Sequence, residues 1–447
     1  MPCTAKDFLM AKLKELKMEN KIITISIIGL GNRGGDCYGK YIHESKDRYK
    51  ITSLCDVNEY RLKKYGEMFD VADEDRFLSE DEFFAQKRSD VLLIATLDKL
   101  HVRQAVKALD LGYDLILEKP ISDDAEELKM LAEKAKEKGR MVLVCHVLRY
   151  TTMIRKIKKL LDEGAIGKLI SLDQTENVCY WHQAHSFVRG NWRKKEDTAP
   201  MILAKCCHDL DLIQYFIGAR CKSVASMGSL AYFKCENKPE GAADRCIDCK
   251  YMKECKYSAY RIYLDEWYKC GRQNIIPFTI VTDVFPVTEE ALLKSLKESC
   301  YGRCVFSCDN DVVDNQTTIM QFENGVTATL KMEGFTARGG RDFRFFGTEG
   351  ELELYEIEDK IILRRYMEEP VVWKISELVD ELGGQGEGGH GGGDHRMLDS
   401  LYNIYFGDKF SASSAIEGSV ESHYMALAAE KSRENCGKLI ELTDYRK

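Results

Sequence analysis

A glycine turn that closes a wholly apolar run constrains this chain more than any other feature. KIITISIIGL (21–30) is β-branched without polar alternation, as expected of a parallel strand buried on both faces, and it leads directly into Gly29-Leu30-Gly31-Asn32-Arg33-Gly34. A GxGxxG match is weak by itself because glycine is common; its position after a strand strengthens it. The first glycine permits a tight turn and the second lets a phosphate approach the backbone. The third lets strand and helix pack beneath an anion-binding helix N-terminus. A second apolar run, YKITSLCDV (49–57), carries Asp56 at its end, about twenty residues beyond the last glycine, where a carboxylate accepts bonds from ribose hydroxyls. That carboxylate repels a 2′-phosphate, and Val57 and Asn58 bring no cation; only Arg61 is near. The expected cofactor is therefore NAD rather than NADP.

The apolar runs recur as DVLLIAT (90–96), YDLILEKP (113–120) and RMVLVCHV (140–147), separated by helical patterns at 101–112 and 123–139. Both helices end on glycine, and the second opens acidic and closes basic, in line with the helix dipole. Such alternation predicts a doubly wound parallel sheet with right-handed crossovers. At 447 residues the chain exceeds what one core usually supports, so a second domain is expected. After Tyr150 the rhythm changes to period-2 segments at 169–178, 222–233, 316–335, 341–356 and 359–367, with a long helix over 414–435. The expected architecture is an α/β Rossmann domain over 21–149 and an α+β domain over 150–447 with a mainly antiparallel open sheet. Residues 1–20 read as a short amphipathic helix through Phe8, Leu9, Leu13 and Leu16. A cysteine-rich insertion at 235–310 and a glycine tract at 383–395 interrupt this plan, and both are expected outside the packed cores.

A net charge of −8 with both signs interspersed argues against a nucleic-acid partner. No apolar run approaches the roughly 18 residues that span a bilayer, and the first residues lack a signal peptide's apolar segment. The reading is a cytoplasmic chain whose 17 cysteines stay reduced and serve as core thiols or metal ligands. Cys246-x-x-Cys249-x5-Cys255 offers three thiolates within ten residues. Cys304, or alternatively Cys308, would complete a tetrahedral structural zinc site; an iron-sulfur cluster is the other occupant such thiolates suit. No His/carboxylate cluster of the catalytic zinc kind is present.

The fourth apolar run closes on Glu118-Lys119-Pro120. With that element, the GLGNRG turn, ATLDKLHVRQAVKAL (95–109) and SAIEGSVESHYMALAAEKS (414–432), almost the whole chain resembles the glucose-fructose oxidoreductase, inositol dehydrogenase and rhizopine catabolism (Gfo/Idh/MocA) family. The similarity is closest to its streptomycin-pathway inositol dehydrogenase branch. The resemblance implies an NAD(P)-dependent oxidoreductase acting on a small sugar, cyclitol or amino sugar, with Asn32, Arg33, Thr96, His101, Glu118 and Lys119 adding to the cofactor site. Lys119 is then the catalytic base, because hydride departure from a secondary alcohol requires a group to take the hydroxyl proton, and the C-terminal end of a strand in an open α/β sheet is where it would meet its substrate.

In the second domain His208-Asp209-Leu210-Asp211 resembles the family's His-x-x-Asp element, implying a catalytic His208 and a substrate contact at Asp211. The family's aspartate four residues before that histidine is Ala204 here, followed by Lys205, a candidate proton relay. ENVCYWHQAHSFVRGNWR (176–193) concentrates aromatic and polar groups and reads as substrate lining through Tyr180, His182, His185, Arg189, Trp192 and Arg193. His390 and Asp394 of the glycine tract are the last such candidates, on a flexible lid.

The leading expectation is an NAD-dependent dehydrogenase of a sugar, cyclitol or glycoside hydroxyl. Two alternatives are an NAD-dependent glycosidase that oxidises its substrate transiently and a non-catalytic sugar- and NAD-sensing regulator. Related proteins associate through the open face of the second sheet, so a homo-oligomer is expected.

Overall fold

The apolar run before the glycine turn forms β1 (Ile23–Ile28), with all but one residue buried. The computed structural model describes residues 21–379, 389–407 and 413–446. The helix expected over 1–20 and most of the glycine tract lie outside the described residues. β2 (Tyr49–Cys55), β3 (Arg76–Phe77), β4 (Val91–Ile94), β5 (Asp114–Leu117) and β6 (Val142–Val144) join β1 in a parallel sheet ordered β3-β2-β1-β4-β5-β6. The chain works outward from β1 to β3 and then returns to the other side of β1. The crevice beyond the carboxyl ends of β1 and β4 is thus the topological switch point where such sheets bind ligands.

Five helices matter below: α1 (His101–Asp110), α2 (Ala125–Lys138), α3 (Cys207–Ile217), α4 (Gly393–Phe406) and α5 (Ile416–Glu434). Local chemistry sets α2: the Asp124 side chain accepts the Glu126 and Glu127 amides, and Gly139 ends the helix in a left-handed conformation. No described helix is long and apolar enough to cross a membrane.

The molecule divides into two units, and the division corrects the expected boundaries. The first comprises residues 1–159 and also 376–423, which the sequence placed in the second domain. The reason is packing: Met397, Leu398 and Leu401 of α4 are fully buried in the same core as Ile25, Ile27 and Leu93 of the parallel sheet.

The second unit, residues 160–375 and 424–447, holds a nine-stranded sheet. Its strands are β7 (Leu169–Asn177), β8 (Cys221–Ser229), β9 (Asn315–Phe322), β10 (Thr327–Glu333), β11 (Gly340–Gly347), β12 (Gly350–Tyr355), β13 (Lys360–Arg365), β14 (Val371–Lys374) and β15 (Ile440–Glu441). They are ordered β14-β13-β12-β11-β7-β10-β9-β8-β15, and every pairing is antiparallel except β7 with β10. Phe216 of α3 meets Phe343 and Phe345 edge-on at 5.6 and 5.0 Å, covering one face.

The cysteine-rich insertion was expected to lie outside any packed core, and this too is corrected. Tyr263, Trp267, Phe278, Leu292, Leu296 and Phe306 form a core of its own with Ala184 and Val188. Its apolar residues are spread over short helical pieces, so no sustained period announces them.

Candidate active site

In the first unit the glycines do separable work. Gly29 has φ +91°, and a Cβ there would stand 2.5 Å from the Ala95 carbonyl oxygen. At Gly34 a Cβ would stand 1.9 Å from the Gly29 carbonyl oxygen. Packing therefore demands both. A Cβ on Gly31 would meet nothing within 4 Å, so the protein itself gives no reason for glycine there. A phosphate approaching the backbone does. The Leu30 amide donates to Asp56 Oδ2 at 2.6 Å and the Asn58 amide to Oδ1 at 2.7 Å, which holds a buried carboxylate at the end of β2 beside the turn. Open space at Gly31 and an oriented carboxylate at Asp56 fit a dinucleotide. The turn backbone would hold its pyrophosphate and Asp56 its adenine ribose.

At the end of β5 the Glu118-Lys119-Pro120 turn is braced on every side. Buried Glu118 accepts Arg33 Nε at 2.7 Å, the Tyr38 hydroxyl at 2.8 Å and the Lys119 amide at 3.0 Å. The Lys119–Pro120 peptide is cis. His101 Nδ1 stands 2.7 Å from the Pro120 carbonyl oxygen, and the Ile121 amide donates to His423 Nε2 at 2.8 Å. His423 Nδ1 lies 2.8 Å from the Ser419 carbonyl oxygen, so it carries the proton and Nε2 is the acceptor. The Lys119 ammonium, half-buried, makes no hydrogen bond or ion pair among the described residues. Burial would raise the Glu118 pKa, but the Arg33 and Lys119 charges hold it below the usual carboxylate range.

Four residues expected at the cofactor, Arg33, His101, Thr96 and Asn32, have structural partners. Arg33 forks onto Asp394, with Nη1 to Oδ2 at 3.0 Å and Nη2 to Oδ1 at 2.7 Å, while also binding Glu118. His101 is buried between Pro120 O and Thr96 O, the latter at 3.2 Å from Nε2, and Thr96 donates to Gln104 Oε1 at 2.6 Å. Asn32 accepts the Cys37 thiol at 3.6 Å. The glycine tract thus supplies a fully buried Asp394, which burial alone would push up but which His390 and Arg33 hold well below the usual carboxylate range. His390 itself is exposed, with Nδ1 3.3 Å from Asp394.

In the second unit β7 and α3 build an ionic cluster. The buried phase of β7 includes Gln174 and Glu176 rather than apolar residues alone. Glu176 receives Lys205 Nζ at 2.9 Å on one oxygen and Arg341 Nη2 at 2.9 Å on the other. Arg341 Nε reaches Asp209 at 2.8 Å, and Gln174 donates to the same carboxylate. Burial and the neighbouring Glu176 charge push Asp209 up to about 7, against the pull of Arg341. His208 and Asp211 are buried on the first turns of α3.

The expected substrate-lining segment splits in two. Tyr180, His182, Trp192 and Arg193 are half-buried, with Arg193 Nε on Asp309 at 2.9 Å and His182 pushed down to about 3 by burial and the nearby Lys205 charge. His185 and Arg189 face the insertion instead. His185 Nδ1 meets the Tyr263 hydroxyl at 2.9 Å and its ring stacks on Tyr301 at 5.0 Å. Arg189, with no exposed surface, donates to the Arg303 carbonyl at 2.7 Å and the Tyr257 carbonyl at 2.6 Å. Both residues anchor the insertion's core, which corrects their assignment to substrate.

Sequence reasoning did not single out Glu176, Arg341 or His423. For Glu176 a signal was present: Leu172, Gln174 and Glu176 share one face of a strand, and a carboxylate in a buried phase must find a cation. Arg341 carried no local mark because Glu176 and Asp209 are distant in sequence, and His423 none because the Ile121 amide it accepts is 302 positions away.

Comparison with known proteins agrees with these two units. Residues 23–146 match the oxidoreductase family, NAD-binding Rossmann fold, and residues 158–371 match that family's C-terminal alpha/beta domain. The putative oxidoreductase YteT of Bacillus subtilis is 25% identical over 395 residues, covering 85% of this chain and 88% of YteT. The scyllo-inositol 2-dehydrogenase (NADP(+)) IolW of the same organism is 27% identical over 41% of this chain and 49% of IolW. An oxidoreductase from Agrobacterium radiobacter, solved in complex with NAD+, L-tartaric acid and magnesium, shares the fold with a TM-score of 0.66 at 15% identity, over 95% of this chain and 99% of that one. With both family domains matched in order across most of its length, the chain belongs to the Gfo/Idh/MocA family of NAD(P)-dependent oxidoreductases.

Proposed function

We propose that this protein is an NAD-dependent dehydrogenase that oxidises a secondary hydroxyl of a sugar or cyclitol, with Lys119 as its base. The observation that carries the reading is the Lys119 ammonium, without a hydrogen bond or ion pair among the described residues, on a turn whose every neighbour is fixed. A general base must be free to exchange a proton and held in place while it does so. Bound NAD supplies the hydride acceptor. Lys119 Nζ, as the free amine, takes the hydroxyl proton as the carbonyl forms, and Glu118 sets the height of the turn. His208 is the second candidate for that proton, and Tyr180, His182, Trp192, Arg193 and Asp211 are the proposed substrate contacts.

Asp56 favours NAD over NADP, since its carboxylate would repel a 2′-phosphate. Exposed Met227 and Ile319, on neighbouring strands of the second sheet, support association of copies through that face.

The test is incubation of the purified chain with NAD or NADP and a panel of sugars, inositols and aryl glycosides. Net NADH formation with a polyol is the expected result. Glycoside cleavage without net NADH would replace the dehydrogenase by a redox-recycling glycosidase, and dinucleotide binding without any turnover would replace it by a sensor.

A further inference from the structure

We infer that the insertion carries a structural zinc ion bound by Cys246, Cys249, Cys255 and Cys304. These four thiols line one pocket, walled otherwise mainly by apolar groups such as Val305 and Phe306. The backbone brings them there. Arg245 and Arg303 form an antiparallel bridge, and the Cys304 amide donates to the Asp244 carbonyl at 2.8 Å, which sets Cys246 and Cys304 diagonally across the bridge on one face. The Cys249 amide donates to the Cys246 carbonyl at 3.3 Å, folding the Cys-x-x-Cys pair back on itself, and the Cys255 amide closes the next turn on the Tyr251 carbonyl at 2.9 Å. None of these four cysteines is in a disulfide, so no such bond competes for their sulfurs.

A second observation points to the ion independently. Arg189 is wholly buried, yet among the described residues it has no carboxylate partner. Its guanidinium donates to two carbonyls and, through Nη2, to Cys246 Sγ at 3.6 Å; Nη1 has no hydrogen-bond partner. A buried cation lacking an anion is costly, by several kcal/mol for an unpaired ion. Thiols do not offset that cost, whereas four thiolates around a divalent ion leave a net double negative charge beside it. Zinc binding would release the four thiol protons to solvent and give Arg189 its counter-charge through the Cys246 sulfur.

Among the described residues no three of these sulfurs lie within 4.8 Å of one another, so the ion must draw its ligands together by side-chain rotation. Cys308 is outside the set: it does not line the pocket, and its thiol donates to the Cys304 carbonyl at 3.2 Å. Nothing connects the ion to hydride transfer. Its work is to fasten the segments around 246–255 and 304 in an insertion with little regular structure.

The test is elemental analysis of the full chain, purified without added metal and again after growth with zinc, together with absorbance spectra and zinc release by a mercurial thiol reagent. About one zinc per chain, released as the thiols react, is expected, as is a tetrahedral thiolate cobalt spectrum after metal exchange. Cys304→Ser should lose at least nine-tenths of the zinc and Cys308→Ser should retain it. Less than a tenth of an equivalent in wild-type protein grown with zinc, or loss in C308S with retention in C304S, would overturn the assignment. Iron with thiolate-to-iron absorbance would overturn it in favour of a cluster.

Discussion

The Leu30 amide donates to Asp56 Oδ2 at 2.6 Å, joining the glycine turn after β1 to the acidic end of β2. One carboxylate thus orders the glycine turn, and in the proposed reading it also holds the adenine ribose. Replacing Asp56 by Ala removes a charge-assisted partner worth about 1.5–3 kcal/mol. NAD affinity, measured by calorimetric titration, should fall by roughly 10- to 150-fold, with a smaller loss for NADP. Equal losses for the two would contradict the role given to Asp56.

The glycines at 31 and 34 should separate binding from folding. Gly31→Ala places its Cβ in open space, so Tm should stay near wild type while NAD affinity drops. Gly34→Ala drives a Cβ to 1.9 Å from the Gly29 carbonyl and should cost about 1–3 kcal/mol in unfolding experiments. The reverse pattern would remove the phosphate from Gly31.

The Arg33–Asp394 fork should appear in acid. Asp394 is depressed in the folded state, so its stabilising contribution is complete above the ordinary carboxylate range and is lost as pH falls through the folded value. Asp394→Asn should cost about 3 kcal/mol at neutral pH, because it leaves Arg33 without one of its two carboxylate partners. The cost should shrink as pH falls, as followed by urea unfolding.

Asp209 should act with the opposite sign. Its folded pKa is raised to about 7, so between about pH 4 and 7 the unfolded chain has released a proton that the folded chain keeps, and stability falls as pH rises through that window. Asp209→Asn should flatten this slope in thermal melts at a series of pH values. An unchanged slope would show that another group holds the proton.

The parallel sheet was legible because strands buried on both faces are continuous apolar runs and the helices between them carry caps. β3, two residues long, was not: Arg76–Phe77 has no period to detect. The placing of the glycine turn after β1, of Asp56 after β2 and of Lys119 after β5 was legible through motif and spacing. Arg33 was read as a cofactor residue, yet its fork is completed by Asp394, 361 positions away, and no local pattern encodes such a pairing. The same holds for Arg341 with Asp209 and Glu176. Arg189 and His185 looked like substrate groups because polarity marks a site and a buried anchor alike; only their partners in the insertion separate the two.

The assignment of Lys119 as base is read from Lys119→Met, assayed for NADH formation with the best polyol substrate and for NAD affinity in parallel. Loss of the base should lower kcat by about 10²–10⁴-fold with NAD affinity within a few-fold of wild type. Turnover within tenfold of wild type, or failure of the intact protein to bind any nicotinamide dinucleotide, would contradict it.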